Sequence, residues 1–409
     1  MKVPRVGIAR RMLGVTLIEL LIALLIGTIL VLGLVQVFSA SRTAYQLSQG
    51  IARNQESSRF AIDFLSRDLR MAGHAGCVND QSLLSSTGTV ITGGNIRSLF
   101  MTETQRNAND VAALPFPLRF DVAIQGFEAN GTGPGTALAI PAVPAVGAAT
   151  AWTPQLPLAL AGLSPVAGSD IVVLRYFSAE ESPITNFNAA GAPAIEYPAA
   201  SGTLATGGSG LFAIADCRSA TVFQASAAPT NIAMVVNQSG LNLSGLPFVS
   251  SQDGSLAYKA GSASLFRAES VAYYVGINPA GDPALFRARW SAVPGAGALA
   301  VTPEEMVEGI ESMQLLFGRD SETNLNLPPK GYIATMDTAA DVLGGAAAWR
   351  RVGAVQVGLL IRNAGERAAS VAPQQPSAVL EVVMNAPADG NYRTAYETTV
   401  ALRNRLYGN

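Results

Sequence analysis

A long apolar segment near the N-terminus, with one acidic residue at its start, constrains the fold most. Gly14-Val15-Thr16-Leu17-Ile18-Glu19 leads into an apolar run from Leu20 to Val37. A helix of about 20 apolar residues spans a bilayer. A charged side chain inside a membrane costs roughly 2.5–3.5 kcal/mol, so Glu19 indicates a role beyond anchoring. Four basic residues precede the segment, and such residues keep that end cytoplasmic: Lys2, Arg5, Arg10 and Arg11.

The predicted helix continues past the apolar run, because no proline occurs between Ser39 and Ala72. Apolar residues at spacings of three and four line one face of a helix, and Gly73 is a typical C-terminal stop. One helix from Val15 to Ala72 would therefore contain about 58 residues and measure about 87 Å. Its apolar side holds Leu47, Ile51, Phe60, Ile62, Phe64, Leu65 and Leu69, and its polar side holds Arg53, Glu56, Arg59, Asp63, Arg67 and Arg70.

The arrangement from Gly14 to Glu19 resembles the type IV prepilin signature. The resemblance implies that a prepilin peptidase cleaves the leader after Gly14 and that Val15 becomes an N-methylated N-terminus. It also implies that Glu19 pairs with an N-terminal amine in the growing filament. Most members have Phe where this chain has Val15. An ordinary secretory signal and an uncleaved membrane anchor are the alternatives, and neither accounts for the spacing of Gly14 and Glu19.

The residues after Gly73 predict a β-rich domain, so the fold class is α+β: one long N-terminal helix packed on a large antiparallel domain. A hairpin is predicted from Ser270–Ile277 and Leu285–Trp290, and Thr302-Pro303-Glu304-Glu305 predicts a helix start. Ala378–Met384 and Thr394–Arg403 are predicted to pair. Further strands are expected at Val122–Phe127, Asp170–Phe177, Leu211–Ile214, Ala220–Gln224, Ala233–Val236, Ile310–Phe317 and Ala354–Arg362, and long loops at Gly131–Thr150 and Ala189–Ser209.

Several later segments carry a second, more specific resemblance: Arg70–Cys77, Asp216–Cys217, Val271–Gly276 with Ala284–Arg287, Val307–Gly318 and Val400–Arg405. Among prepilins, these segments resemble the PilW-type minor pilins. This resemblance implies a pilin-like fold, partners among the other minor pilins and the major pilin, and a role in priming pilus assembly in a tip complex. A minor pseudopilin of a type II secretion system and a tip adhesin or DNA-uptake module remain alternatives.

The expected organisation follows from these segments. Residues 1–14 are the leader, 15–40 the transmembrane or filament-core half of the helix, and 41–73 its amphipathic half. Residues 74–409 are expected to form a periplasmic domain. The helix would anchor this domain in the inner membrane by a single pass, and the protein would later become part of the pilus. Without its four basic leader residues the chain retains 23 basic and 29 acidic residues, a formal net charge of −6. That charge disfavours general nucleic-acid binding.

The two cysteines, Cys77 and Cys217, are predicted to form a disulfide, because an extracytoplasmic domain lies in an oxidising space. Two unrelated buried thiols are the alternative. The single histidine, His74, has no second histidine or paired cysteines for a zinc site and is expected to lie in a solvated turn. A Ser-His-Asp arrangement would have to use His74, and no nucleophile-elbow or phosphate-loop motif occurs. The sequence therefore predicts neither an enzyme nor a cofactor.

One loop offers weak candidates for a calcium site. Oxygen-bearing side chains occur at alternate positions after Gly318, and calcium prefers oxygen ligands. The loop lacks the central glycine and the final acid of an EF-hand, so a polar turn is the favoured interpretation. The candidates are Asp320, Glu322, Asn324 and Asn326.

Overall fold

The structure is a computed structural model, and it describes residues 14–78, 96–102, 104–105, 114–188, 191–202, 204, 208–217, 219–244, 258–322, 324, 327, 329–363 and 378–405. Its helices are α1 (Leu17–Met71), α2 (Leu158–Ala161) and α3 (Gly345–Trp349), with short 3-10 turns at Phe116–Leu118, Ala149–Ala151 and Ala199–Ser201. The chain is thus one long helix followed by a strand-rich domain, which confirms the predicted α+β class.

The strands of the domain follow one another in this order: β1 (Ile96–Ser98), β2 (Ile124–Ala129), β3 (Ala137–Ala139), β4 (Trp152–Thr153), β5 (Ile171–Pro183), β6 (Asn186–Phe187), β7 (Ile195–Glu196), β8 (Leu211–Ala215), β9 (Ala220–Gln224), β10 (Ala233–Met234), β11 (Ser264–Ile277), β12 (Pro283–Ser291), β13 (Ala300–Glu308), β14 (Ile310–Asp320), β15 (Ile333–Asp337), β16 (Val352–Arg362), β17 (Ala378–Val379), β18 (Val382–Asn385) and β19 (Arg393–Ala401).

Helix α1 has a defined beginning and end. Thr16 lies in extended conformation before the first turn, and its hydroxyl accepts a hydrogen bond from the Glu19 backbone N–H. This is the usual way in which a threonine satisfies a free N–H at a helix start. At the other end, Gly73 has φ +77°, a left-handed conformation that glycine adopts at low cost. The helix predicted from Val15 to Ala72 is therefore confirmed within two residues at each end.

The largest sheet is organised around β11. Strand β5 pairs antiparallel with β11 along one edge, while β8 and β12 pair with successive parts of its other edge. Strand β2 extends the sheet beyond β5, β9 and β1 extend it beyond β8, and β13 extends it beyond β12. The β11–β12 hairpin predicted from the sequence is confirmed, and β11 begins earlier than predicted, at Ser264.

A second sheet has the order β15-β14-β16-β19 and is antiparallel throughout. The main hydrophobic core lies between this sheet, the β11 sheet and the C-terminal part of α1. Helix α1 contributes Ala61, Leu65, Leu69 and Ala72 to it, each at most 1% exposed. Two small sheets, β10-β7-β6 and β17-β18-β3, lie outside this arrangement.

Two sequence predictions in this region are wrong. The segment predicted to start a helix at Thr302 lies inside β13, because it pairs with β12 along its whole length. The predicted pair of final strands does not form either. Residues 378–385 fold back on themselves as the β17–β18 hairpin, and β19 pairs with β16 instead. The first prediction failed because pairing with the preceding strand outweighs the local helix preference. The second failed because the chain turns at Leu380 and Glu381, which both have a positive φ, and so ends the predicted strand early.

Candidate functional site: the N-terminal helix and its junction with the domain

The predicted cleavage position lies just before α1. Gly14 and Val15 are exposed and have no regular secondary structure. The Glu19 carboxylate is in the first helical turn, where its Oε2 is 3.5 Å from the Thr16 hydroxyl oxygen. A negative charge is favourable at this end of a helix. Residues 1–13 of the predicted leader lie outside the described residues.

The first half of α1 is apolar and leaves the domain entirely. Large apolar side chains from Leu17 to Phe38 are exposed around the helix. Within the described residues, α1 is the one helix long and apolar enough to cross a membrane, and the most apolar stretch has no buried residue. A soluble core helix would bury such a surface. This half therefore requires a membrane or other helices to cover it.

The second half of α1 is built into the domain along one stripe. Buried positions begin at Gly50 and continue to the helix end. The Asn54 side-chain amide donates to the Tyr392 carbonyl oxygen at 3.3 Å and to the Thr394 hydroxyl at 3.4 Å, which ties the helix to the start of β19. The predicted apolar face is largely confirmed. Phe60 is the exception, since it is 49% exposed.

Asp68 anchors this stripe to the β11 sheet. Its Oδ2 accepts a hydrogen bond from the Tyr273 hydroxyl at 2.7 Å and lies 3.4 Å from Nη1 of Arg287. Burial and the nearby Asp68 carboxylate raise the pKa values of Tyr273 and Tyr176 well above the ordinary tyrosine value. Both phenols consequently stay protonated at all physiological pH values, and Tyr273 remains a hydrogen-bond donor to the helix.

The chain leaves α1 beside β5, just past the residues of β5 that pair with β2. The Gly73 N–H donates to the Arg175 carbonyl oxygen at 3.2 Å, and the Phe177 N–H donates to the His74 carbonyl oxygen at 2.7 Å. His74 lies in this turn, as expected, but it is half-buried rather than solvated. Its Nδ1 is 3.0 Å from the Phe177 carbonyl oxygen, which gives this histidine a structural contact.

A disulfide closes the junction. Cys77, shortly after α1, is bonded to Cys217 in the turn between β8 and β9, with an S–S distance of 2.06 Å. The predicted pairing is therefore present, and both cysteines are exposed rather than buried in unrelated positions. The disulfide links residues 140 positions apart, so it joins the helix exit to a hairpin of the large sheet.

In the loop proposed as a weak calcium site, the carboxylate of Asp320 is bound by backbone N–H groups of the loop itself. Asp320 accepts hydrogen bonds from the backbone N–H groups of Glu322, Lys330 and Gly331 at 2.6–2.9 Å. Glu322 pairs with the Lys330 ammonium at 3.0 Å. Asn326 lies outside the described residues, and Asn324 is exposed. The described residues contain no group of three metal-ligating His, Cys, Asp or Glu side chains.

Sequence reasoning missed the importance of Asp68. A signal was present, because Ala61, Leu65, Asp68 and Ala72 follow one another at spacings of four, three and four. That spacing places Asp68 on the buried face of the helix. A carboxylate on a buried face requires hydrogen-bond donors from elsewhere in the fold, and only the structure identifies Tyr273 and Arg287.

Comparison with known families gives one match. Residues 272–404 match the model of the family described as Type IV Pilus-assembly protein W. The matched segment runs from the β11–β12 hairpin to just past β19, and α1 lies before it. The match supports a PilW-type pilus-assembly protein, so the resemblance seen in the sequence is confirmed. No curated protein and no solved structure matches the chain.

Proposed function

We propose that this protein is a non-catalytic minor pilin that helps to initiate type IV pilus assembly from a tip complex. Its partners would be the other minor pilins and the major pilin, contacted through the exposed half of α1. The prepilin peptidase would remove residues 1–14 and leave Val15 as the methylated N-terminus. The domain would be periplasmic before assembly, since the basic residues before Gly14 favour a cytoplasmic N-terminus.

The observation that carries this proposal is the division of α1 into two halves. The first half exposes an apolar surface on all sides, whereas the second half is part of the core of the domain. A subunit with this arrangement can move from a membrane into a bundle of similar helices without unfolding its domain. The family match in residues 272–404 independently supports a pilus-assembly role.

Replacement of Glu19 tests the proposal directly. We expect Glu19→Ala to insert into the membrane as well as the wild type, because a charge is removed from an apolar segment. It should nevertheless fail to enter pili, because the N-terminal amine of a neighbour would lose its partner. Glu56→Ala is the matched control, since Glu56 is an exposed acid in the amphipathic half of the same helix. Normal incorporation of Glu19→Ala into sheared pili would refute the pairing role.

Processing can be tested separately by mass spectrometry of the membrane-bound protein. The wild type should lack its first 14 residues and carry a methyl group on Val15. Gly14→Glu should retain the leader, since the prepilin peptidase requires a small residue there. A wild-type protein that keeps its leader would contradict the prepilin assignment. Capture of secretion-system pseudopilins instead of pilins by the full-length chain would favour the type II secretion alternative.

A further inference from the structure

A charged groove of about 990 Å³ lies beside the last turns of α1. One wall is the solvent-side flank of the helix, and the other is formed by β5, β11 and β12. Its floor includes Phe64, Tyr176 and Val271. The groove contains nine charged residues, five basic and four acidic: Arg67, Arg70, Arg267, Arg287 and Arg289, with Asp63, Asp68, Glu180 and Glu269.

Three of the four acidic residues are already paired within the groove. Asp68 is held by Tyr273 and Arg287. Glu269 receives two hydrogen bonds from the guanidinium of Arg289, at 2.6 and 2.7 Å. Glu180 pairs with Arg267 at 2.8 Å. The fourth, Asp63, is exposed on the helix. The acceptors that the groove itself supplies are therefore mostly occupied.

Several guanidinium N–H donors of the groove, in contrast, have no acceptor among the described residues. Arg67 and Arg70 are exposed, and their guanidinium groups make no hydrogen bond or ion pair with any described residue. The Nε atoms of Arg267 and Arg287 are buried and have no acceptor among the described residues. A buried N–H without an acceptor is unfavourable, and an incoming acceptor would relieve that cost. The groove consequently has an excess of guanidinium donors over carboxylate acceptors.

We propose that this groove binds an acidic, extended peptide segment of a neighbouring protein subunit, with carboxylates of that segment paired to Arg67 and Arg70. Carboxylates accept two parallel hydrogen bonds from a guanidinium, and Arg67 and Arg70 lie three residues apart on one helix face, so adjacent carboxylates of one segment can pair with both. The inference concerns a surface outside the exposed half of α1 and does not depend on the proposed pilus function.

Two other anionic partners fit less well. A membrane headgroup is too distant, because Arg67 lies 29 residues beyond Phe38, or about 44 Å along the helix. A nucleic acid would meet Asp63 and Glu180 at the rim, and its affinity depends on a continuous basic surface. A peptide can place its carboxylates selectively beside the free arginines, so it suits this mixed lining best.

The test is a fluorescence-anisotropy titration of the full-length protein in detergent micelles at low salt. The probe is a labelled, end-capped hexaglutamate peptide, and hexaglutamine of the same length is the neutral comparison. We expect wild-type protein to bind hexaglutamate only. Arg67→Glu/Arg70→Glu should weaken that binding at least tenfold. Arg53→Glu/Arg59→Glu, with the same charge change on exposed residues of the same helix outside the groove, should change it less than twofold.

Three results would overturn the proposal: no binding of hexaglutamate by the wild type, equal losses in the two double variants, or displacement of the peptide by inorganic phosphate as readily as by unlabelled hexaglutamate. Equal losses would indicate general charge attraction, and ready displacement by phosphate would indicate a small-anion site. Tryptophan fluorescence of each variant checks folding. If the Arg67→Glu/Arg70→Glu protein misfolds, Arg67→Gln/Arg70→Gln replaces it, with an expected loss of at least threefold.

Discussion

Glu128 and Asp170 form a buried pair of carboxyl groups between the two large sheets. Asp170 accepts hydrogen bonds from the backbone N–H groups of Ala129 in β2 and Leu315 in β14, both at 2.8 Å. The Thr132 hydroxyl lies 3.3 Å from Glu128 Oε1 but only 2.6 Å from the Ala129 carbonyl oxygen, and Glu128 Oε2 has no N–H or hydroxyl donor among the described residues. The charges of the two buried carboxyl groups oppose each other, so a proton on one of them is favoured. The pair therefore favours a protonated carboxyl group inside the fold.

The stability contributed by this proton depends on pH. Burial, followed by the negative charge of Asp341, raises the pKa of Glu128 from 4.5 to about 7. Burial and the charge of Glu128 raise the pKa of Asp170 as well. Between the unfolded and folded pKa values of Glu128, only the folded state holds the proton. The free energy of unfolding then falls by about 1.4 kcal/mol per pH unit as pH rises. Over the whole interval, Glu128 accounts for roughly 3 kcal/mol.

Glu128→Gln should remove the part of this dependence that Glu128 contributes, because the amide has no titrating proton, while Asp170 keeps the raised pKa that its burial causes. We expect the variant to be about 2–3 kcal/mol more stable than the wild type near pH 8 and similar to it near pH 5. Urea unfolding of the full chain in micelles can be followed by tryptophan fluorescence. All three tryptophans report on the domain, since each is at most 3% exposed in it: Trp152, Trp290 and Trp349.

Glu180→Gln is the matched control, because the Glu180 side chain is 69% exposed and its replacement should leave the pH dependence unchanged. The reasoning fails if Glu128→Gln and the wild type lose the same free energy of unfolding between pH 5 and pH 8. It also fails if the free energy of unfolding of the wild type increases with pH and that of Glu128→Gln does not.

Three further predictions can be measured by the same unfolding assay. Tyr273→Phe should cost about 1.5–3 kcal/mol, because Asp68 loses its closest donor, whereas Tyr332→Phe, at a 74% exposed side chain, should have no effect. Gly73→Ala should lower the free energy of unfolding more than Gly131→Ala does. Both glycines have a positive φ, but only at Gly73 would the new methyl group lie 3.0 Å from a side-chain carbon, Cγ of Arg405. Cys77→Ser/Cys217→Ser should lower stability by about 4–5 kcal/mol, and reductant should then have no further effect.

Local pattern predicted the long helix well. Apolar spacing, the absence of proline and Gly73 all act within a few turns of the chain, and they placed α1 within two residues of its observed ends. Strand positions were also largely predictable, as for β9 at Ala220–Gln224. The order of strands was not, because β11 pairs with β5 and β8, which lie far earlier in the sequence.

The segment Thr302–Glu305 shows where local signals mislead. A threonine followed by proline and two acids is typical of a helix start. In the structure this segment lies opposite β12, where Ala288 faces Pro303 and Arg287 faces Glu304. Nη2 of Arg287 is 3.4 Å from the Glu304 carboxylate. A long strand partner and an ion pair across the ladder outweigh a local preference of less than 1 kcal/mol per residue.

The residues of the candidate site also differ in how well the sequence predicts them. Gly14, Val15 and Glu19 were identified because their motif is continuous in sequence. The contacts of Asp68 and the groove beside it were not, because their members come from α1, β5, β11 and β12. Residues that are brought together only by folding have no spacing to read in a single sequence.

The attachment of α1 determines where the protein can bend. To separate the second half of the helix from the domain, Leu65 and Leu69 would have to leave the core and the Asp68 carboxylate would have to lose Tyr273. Exposing two leucines alone costs about 3–6 kcal/mol. The first buried residue of α1 is Gly50, so no comparable contact opposes movement of residues 38–49. Bending that accompanies a change of surroundings for the apolar half should therefore occur between Phe38 and Gly50, while the groove beside Arg67 and Arg70 moves with the domain as one unit.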